Sequence, residues 1–161
     1  MILLFSLALA GKLEDGWRGI PYGPASVLDT APTSSCTRTD EPGVLWACQE
    51  DIASVPVNVF YMASDGWYHG VSINAVGFAA CSTVFATLKA AWDAPWGPKE
   101  YASGSLPDGF WNLMVYQKTT SAAWTYNPYS HACSAFTMNA GISAKIDAIK
   151  KARAALAAEA L

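Results

Sequence analysis

Between Val55 and Met62 apolar residues recur with a period of two: Val55, Val57, Val59 and Tyr61 alternate with Pro56, Asn58, Phe60 and Met62. That period puts one set on the buried side of a strand. Pro56 places the strand's start near a sheet edge, because proline donates nothing to a ladder. Ser64-Asp65-Gly66 supplies turn chemistry, and Trp67 to Asn74 returns as the second arm of a hairpin. His69 shares strand parity there with Trp67, Val71 and Ile73. Val44 to Gln49 reads as a strand ahead of this hairpin. Phe110 to Lys118 and Ala122 to Tyr126 form a second one, with Trp111, Leu113 and Val115 facing Trp124, and His131 to Met138 is the last strand. Pro24 to Leu28 has room for one short helical turn.

The period changes at Phe78. Phe78, Cys81, Phe85, Leu88 and Trp92 are separated by steps of three and four, which predicts a helix over about 77–92 with all five on one face. A second helix begins at Ile142, where Ile142, Ile146, Ile149 and Leu156 share a face within an Ala-rich stretch of high helix propensity. Asp93 to Gly109, punctuated by Pro95, Gly97, Pro98, Gly104 and Pro107, reads as a long loop, and loops of more than about 12–15 residues are often functional. Hairpins interrupted by helices predict an α+β fold: an antiparallel sheet of hairpins with the 77–92 helix packed on one face and a C-terminal helix.

At 161 residues the chain is long enough for one domain with a substantial core. That domain is expected over 11–141, followed by an amphipathic helix over 142–161. Ahead of it, Ile2 to Ala10 is an uncharged apolar run ending in Ala8-Leu9-Ala10, with polar Gly11-Lys12-Leu13-Glu14-Asp15 directly after. This is the pattern of a signal peptide over 1–10 with an A-x-A exit, although the initiator amine is its sole positive charge. The run is too short to span a bilayer.

Cys36, Cys48, Cys81 and Cys133 are even in number and contain no C-x-x-C, so they point to disulfides in an oxidising compartment, periplasmic or extracellular. Three pairings are open on sequence. Cys36–Cys48 is favoured because the two bracket the Pro42-Gly43 turn. That leaves Cys81–Cys133, which would staple the inner face of the helix to the last strand.

The formal charge of −3 lacks the basic footprint of a phosphate-backbone binder, so nucleic acid is not an expected partner. Residues 142–161 carry four basic and two acidic side chains, read as the solvated face of the last helix. No zinc, calcium or phosphate-loop motif is present, so neither metal nor cofactor is expected. The candidate proton-transfer groups are His69 and His131, and Ser130 before His131 lacks the G-x-S-x-G elbow of an exposed nucleophile. Aromatics offer more, since Trp96 and Tyr101 in the long loop and Tyr129 beside a hairpin are the kind of residue that anchors binding surfaces.

Trp17-Arg18-Gly19-Ile20-Pro21-Tyr22-Gly23, the Asp65-Gly66 turn and Trp96-Gly97-Pro98 together resemble small exported bacterial domains of unknown function. Those domains open with an R-G-I-x-aromatic-G segment. In them an aromatic-Gly-x-Pro ends the helix after the central hairpin, whereas here Pro98 follows Gly97 directly. The resemblance implies a helix on an antiparallel sheet and brings no catalytic residues.

The expected function is that of a non-catalytic, monomeric exported domain binding a protein or a cell-envelope component. The alternatives are a carbohydrate-binding module stacking sugars on Trp96, Tyr101 and Tyr129, or a small secreted hydrolase using His131 or His69. Expression in a bacterium should yield protein whose N-terminal residue, read by Edman or mass analysis, is Gly11; intact Met1 on the accumulated protein would remove the export reading.

Overall fold

A computed structural model of the chain describes residues 16–92, 100–105, 111–117 and 119–159, with residues 92, 100–105, 111–117 and 159 described by their backbone. The expected signal peptide, 1–10, and Trp96 lie outside the described residues. The strands are β1 (Gly23–Pro24), β2 (Cys36–Arg38), β3 (Val44–Ile52), β4 (Val55–Ser64) and β5 (Trp67–Val76), then β6 (Glu100–Ser105), β7 (Trp111–Gln117), β8 (Thr120–Asn127) and β9 (Ala132–Asn139). Helix α1 (Phe78–Trp92) falls between β5 and β6, α2 (Ala140–Glu159) follows β9, and a single 3-10 turn spans Ala25–Leu28.

All pairings are antiparallel, in the order β2-β3-β4-β5-β9-β8-β7-β6. The two-residue β1 takes Tyr68 and Trp67 of β5, beyond the point where the β9 ladder ends at Gly70. The fold is therefore the expected α+β sheet of hairpins. One register row crosses all eight strands of the path, from Cys36 through Cys48, Val59, Ile73, Ala135, Trp124 and Leu113 to Ser103. Because directly opposed residues share a face, this row defines the inner side of the sheet. Val59, Ile73, Trp124 and Ala135 are almost wholly buried on it.

Helix α1 lies on the inner side against β4, β5 and β9, joined to β9 by the Cys81–Cys133 disulfide. Its buried line is Cys81, Val84 and Leu88, with Phe85 half-buried against Trp124 at 4.4 Å between ring centroids. The five-residue stripe expected from spacing is corrected at its start. Phe78 is 54% exposed, its ring set edge-on to Tyr126 at the margin of the buried line.

Helix α2 covers the outer side, in contact with β5, β8 and β9. Asn139 caps its start by accepting the Ile142 backbone N–H at 3.0 Å. Ile142 and Ile146 are buried, Lys145 lies over the Trp67 ring at 4.8 Å, and Arg153 pairs with Asp65 at the hairpin turn. Past Arg153 the described residues of the helix are exposed, Leu156 included at 67%, so the expected apolar stripe stops at Ile149.

Two more expectations need correction. Strand β5 carries an irregularity opposite Met62 and Ala63, which pair with Gly70 and Tyr68 and leave His69 over. The extra residue changes the side on which everything before it points, so Tyr68 joins Val71 and Ile73 inside. Trp67 and His69 lie outside with α2, and the parity assigned to His69 with Val71 and Ile73 does not hold. The stretch Asp93 to Gly109 is also not loop throughout, since Glu100–Ser105 is β6, and Tyr101 sits on that strand opposite Val115. Its small and polar neighbours Ala102, Ser103, Gly104 and Ser105 give no period to read, and the strand forms through backbone pairing with β7.

Leu88→Ala should cost about 2–5 kcal/mol of unfolding free energy, as truncation of a fully buried leucine does. Leu156→Ala should stay within about 0.5 kcal/mol. Urea denaturation of the two variants beside the parent measures both.

Candidate functional site

Residues 16–28 form a strap over the inner side beyond the reach of α1. Gly16 and Gly19 both take positive φ, +85° and +76°, and a Cβ on Gly16 would sit 1.8 Å from the Ile20 carbonyl oxygen. Glycine is thus required at position 16 by close approach. Between them Arg18 is itself left-handed at φ 51°, a conformation that costs a side-chain-bearing residue about 1–2 kcal/mol.

What holds Arg18 there is its guanidinium. Nε meets Glu50 Oε2 at 2.7 Å, and Nη2 donates to the Asp51 carbonyl on β3 at 3.1 Å. The Glu50 side chain is only 2% exposed, and its other oxygen accepts the Tyr61 hydroxyl at 3.1 Å. A buried carboxylate without its cation is strongly destabilising, so the ion pair fixes the strap to the sheet.

Further along, Tyr22 bonds Thr137 through its hydroxyl and packs on Tyr68 at 5.3 Å between centroids, and the Trp46 indole donates to the Leu28 carbonyl at 2.8 Å. The Trp17 backbone lies beside the Tyr68 hydroxyl without completing a hydrogen bond. Burial pushes the Tyr22 phenol up to about 12 and raises Tyr61 and Tyr68 further, Tyr61 with help from the Glu50 charge and Tyr68 from the neighbouring phenols. Phenols held protonated in this way neither accept protons nor act as nucleophiles near neutral pH. The arrangement suits a structural lock.

The surface offers a different arrangement at the end of the sheet where β5 runs into α1 and β8 turns into β9. The Gly77 N–H donates to the His131 carbonyl at 2.7 Å, tying the two connections together. Asn127 Oδ1 accepts the backbone N–H groups of Tyr129 and Ser130, the Asx-turn geometry that fixes a tight turn. His131 takes φ 51°, and its Nδ1 lies 3.1 Å from the Tyr126 hydroxyl. Phe78 sits edge-on to Tyr126 with ring centroids 5.8 Å apart. Val76 and Tyr129 project outward at 75% and 72% exposure. The segments that build this end, 70–88 and 119–144, contain no Asp, Glu, Lys or Arg.

Of the three expected anchors, Tyr129 is therefore exposed on a rigid turn, Tyr101 is a strand residue of β6, and Trp96 lies outside the described residues. Val76 closes β5, Phe78 opens α1, and Tyr129 and His131 lie in the β8–β9 turn, so all four fall at this end of the sheet. Phe78 escapes sequence reasoning because it heads the apolar stripe of the 77–92 helix, and Val76 because it lies beyond the strand read over Trp67 to Asn74. The two histidines are on separate sites: His69 faces α2 on the outer side, near Lys150 and Asp147, and His131 meets the Tyr126 phenol. Among the described residues no three His, Cys, Asp or Glu side chains come together as metal ligands. Both expected disulfides, Cys36–Cys48 and Cys81–Cys133, are formed, and no described helix is long and apolar enough to cross a membrane.

Comparison of the chain with protein-family models, with curated proteins and with solved structures found no match.

His69 is pushed below its ordinary 6.5, first by burial and then by Lys150, against a smaller pull from Asp147. Its neutral form is favoured by the folded state, so this contribution to stability is complete above pH 6.5 and is lost as the pH falls through 6.5 towards the lower folded value. Thermal melts from pH 7.5 to 5 should show the advantage of the parent over His69→Gln shrinking in that window; a constant difference would remove His69 as the titrating group.

Proposed function

We propose that this chain is a non-catalytic domain of an exported protein that binds a protein or a cell-envelope component through the end of the sheet carrying Val76, Phe78 and Tyr129. The supporting observation is the concentration there of three of the five exposed large hydrophobic side chains found among the described residues. Scattered exposed apolar residues are ordinary, whereas a grouped set on ordered backbone is characteristic of interaction sites. The lack of formal charge along both segments favours an uncharged or apolar counterpart over an ionic one. Two disulfides fit an oxidising compartment.

A reading as a carbohydrate-binding module draws here on Tyr129, the one of its three candidates whose side chain is described. Stacking on one exposed ring, with the Ser130 hydroxyl and the His131 imidazole beside it, is the form that reading takes here. The hydrolase alternative draws no support from the geometry around either histidine, because neither ring meets a hydroxyl nucleophile of Ser or Thr within hydrogen-bond distance among the described residues.

Site-specific photo-crosslinking from position 129 in an envelope extract, beside co-sedimentation with purified peptidoglycan, tests the proposal. Tyr129→Ala with Phe78→Ala should weaken the captured interaction by roughly thirtyfold or more, as loss of a hot-spot aromatic does, while circular dichroism stays that of the parent. His69→Ala should bind as the parent does. Undiminished binding by the double variant would overturn the assignment of this surface, and sedimentation with the glycan alone would favour the carbohydrate reading.

A further inference from the structure

The two disulfides occupy unlike positions. Cys81 and Cys133 are both buried, 0% and 5% exposed, between α1 and the sheet. Cys36 and Cys48 lie directly opposite each other in the β2–β3 ladder, at the outer end of the row that crosses the sheet. Cys48 is buried, but Cys36 is half-buried on β2, a strand of three residues paired on β3. Apart from the ladder, the flanks of β2 are tied to β3 by Thr39 N–H to the Leu45 carbonyl, by Gln49 N–H to the Ser35 carbonyl and by the Ser35 hydroxyl to the Gln49 carbonyl, at 3.2, 3.4 and 2.5 Å. The disulfide is the one covalent tie on this edge.

We propose that Cys36–Cys48 is a reducible clasp, opened by a protein dithiol while Cys81–Cys133 stays closed, and that opening it frees β2 and bares the outer edge of β3 from Trp46 to Cys48. A thiolate of the dithiol attacks Sγ of the half-buried Cys36, the bond to Cys48 breaks, and Cys48 leaves as a thiolate that takes up a proton. The second thiol of the reductant then attacks its own sulfur in the mixed disulfide, becomes the oxidised partner, and releases Cys36 as a thiolate. Two electrons pass from the dithiol to the pair, and its two protons end on Cys36 and Cys48. Thr33 is placed for the second step, because its hydroxyl donates to Cys36 Sγ at 3.2 Å and stabilises the charge that develops there.

The consequence lies in the backbone. A strand edge without its neighbour presents unpaired N–H and C=O groups, the feature that incoming strands recognise. The bare stretch lies beside Arg18, whose bond to the Asp51 carbonyl occupies the next part of the same strand. Reduction therefore opens a short window in the edge and leaves the strap in place.

The test is a titration of the folded, fully oxidised protein with dithiothreitol, trapped by alkylation and followed by peptide mapping and hydrogen exchange. Cys36 and Cys48 should be alkylated at reductant concentrations at least about tenfold below those needed for Cys81 and Cys133, as expected of a half-buried against a buried disulfide. Exchange should rise across 33–49 and stay low in α1 and β9. Simultaneous opening of the two disulfides, prior opening of Cys81–Cys133, or selective reduction with unchanged exchange at 44–49 would each overturn the proposal. A Thr33→Val variant should slow reduction of Cys36–Cys48 without changing the order of opening, and an unchanged rate would remove Thr33 from the step.

Discussion

The inner side of this sheet has to be kept from water from β3 across to β8, and no single helix is wide enough to do it. Eight strands about 4.8 Å apart make a surface roughly 34 Å across, whereas a helix with its side chains covers about 10 Å. Helix α1 accounts for β4, β5 and β9. Over β3 to β5 the cover is the strap, with Trp17, Ile20, Tyr22 and Leu28 laid on Trp46, Tyr61 and Tyr68. The N-terminal segment is thus as much a part of the core as the helix. Its backbone hold on the sheet is little more than the two-residue β1 ladder and one 3-10 turn, so side chains must supply the rest.

That hold is polar where the rest of the core is apolar. A strap with irregular backbone cannot bury enough hydrocarbon to define its own position, and the Arg18–Glu50 pair with Tyr61 gives it a single seat. Burying a carboxylate is costly, so any displacement of Arg18 is opposed by the charge it would strand. The same logic explains a left-handed arginine between two left-handed glycines, since the backbone strain is offset by a contact available in one conformation only. Tyr22 and Thr137 repeat the device on β9.

The elements legible in the chain were those whose signal is local. The alternation of β4 and the three-four spacing of α1 follow from periodicity, and the cysteine pairing followed once Cys81 was placed on the inner helical face and Cys133 on a strand beneath it. Interactions between distant segments left no such mark. Nothing near Arg18 announces Glu50, and the extra residue in β5 is visible only against the partner strand. Strand β6 is held by backbone bonds to β7 in a run of small polar residues, so side-chain chemistry could not announce it. The site was half legible: Tyr129 stands out as an aromatic in a turn, whereas Phe78 heads a helical stripe that reads as core and Val76 falls past the strand legible over Trp67 to Asn74.

The Cys81–Cys133 link also sets how the chain bears tension. The two sulfurs are 52 positions apart in sequence and bracket β6, β7 and β8, so a pull applied at both ends of the domain passes from α1 to β9 through the bond and bypasses everything between. At about 3.5 Å per residue, roughly 180 Å of contour is withheld from extension while the bond persists. Stretched from its ends, the molecule would yield outside the bridge, in the strap, β2 to β5 and α2. The three strands beyond β9 would stay unloaded.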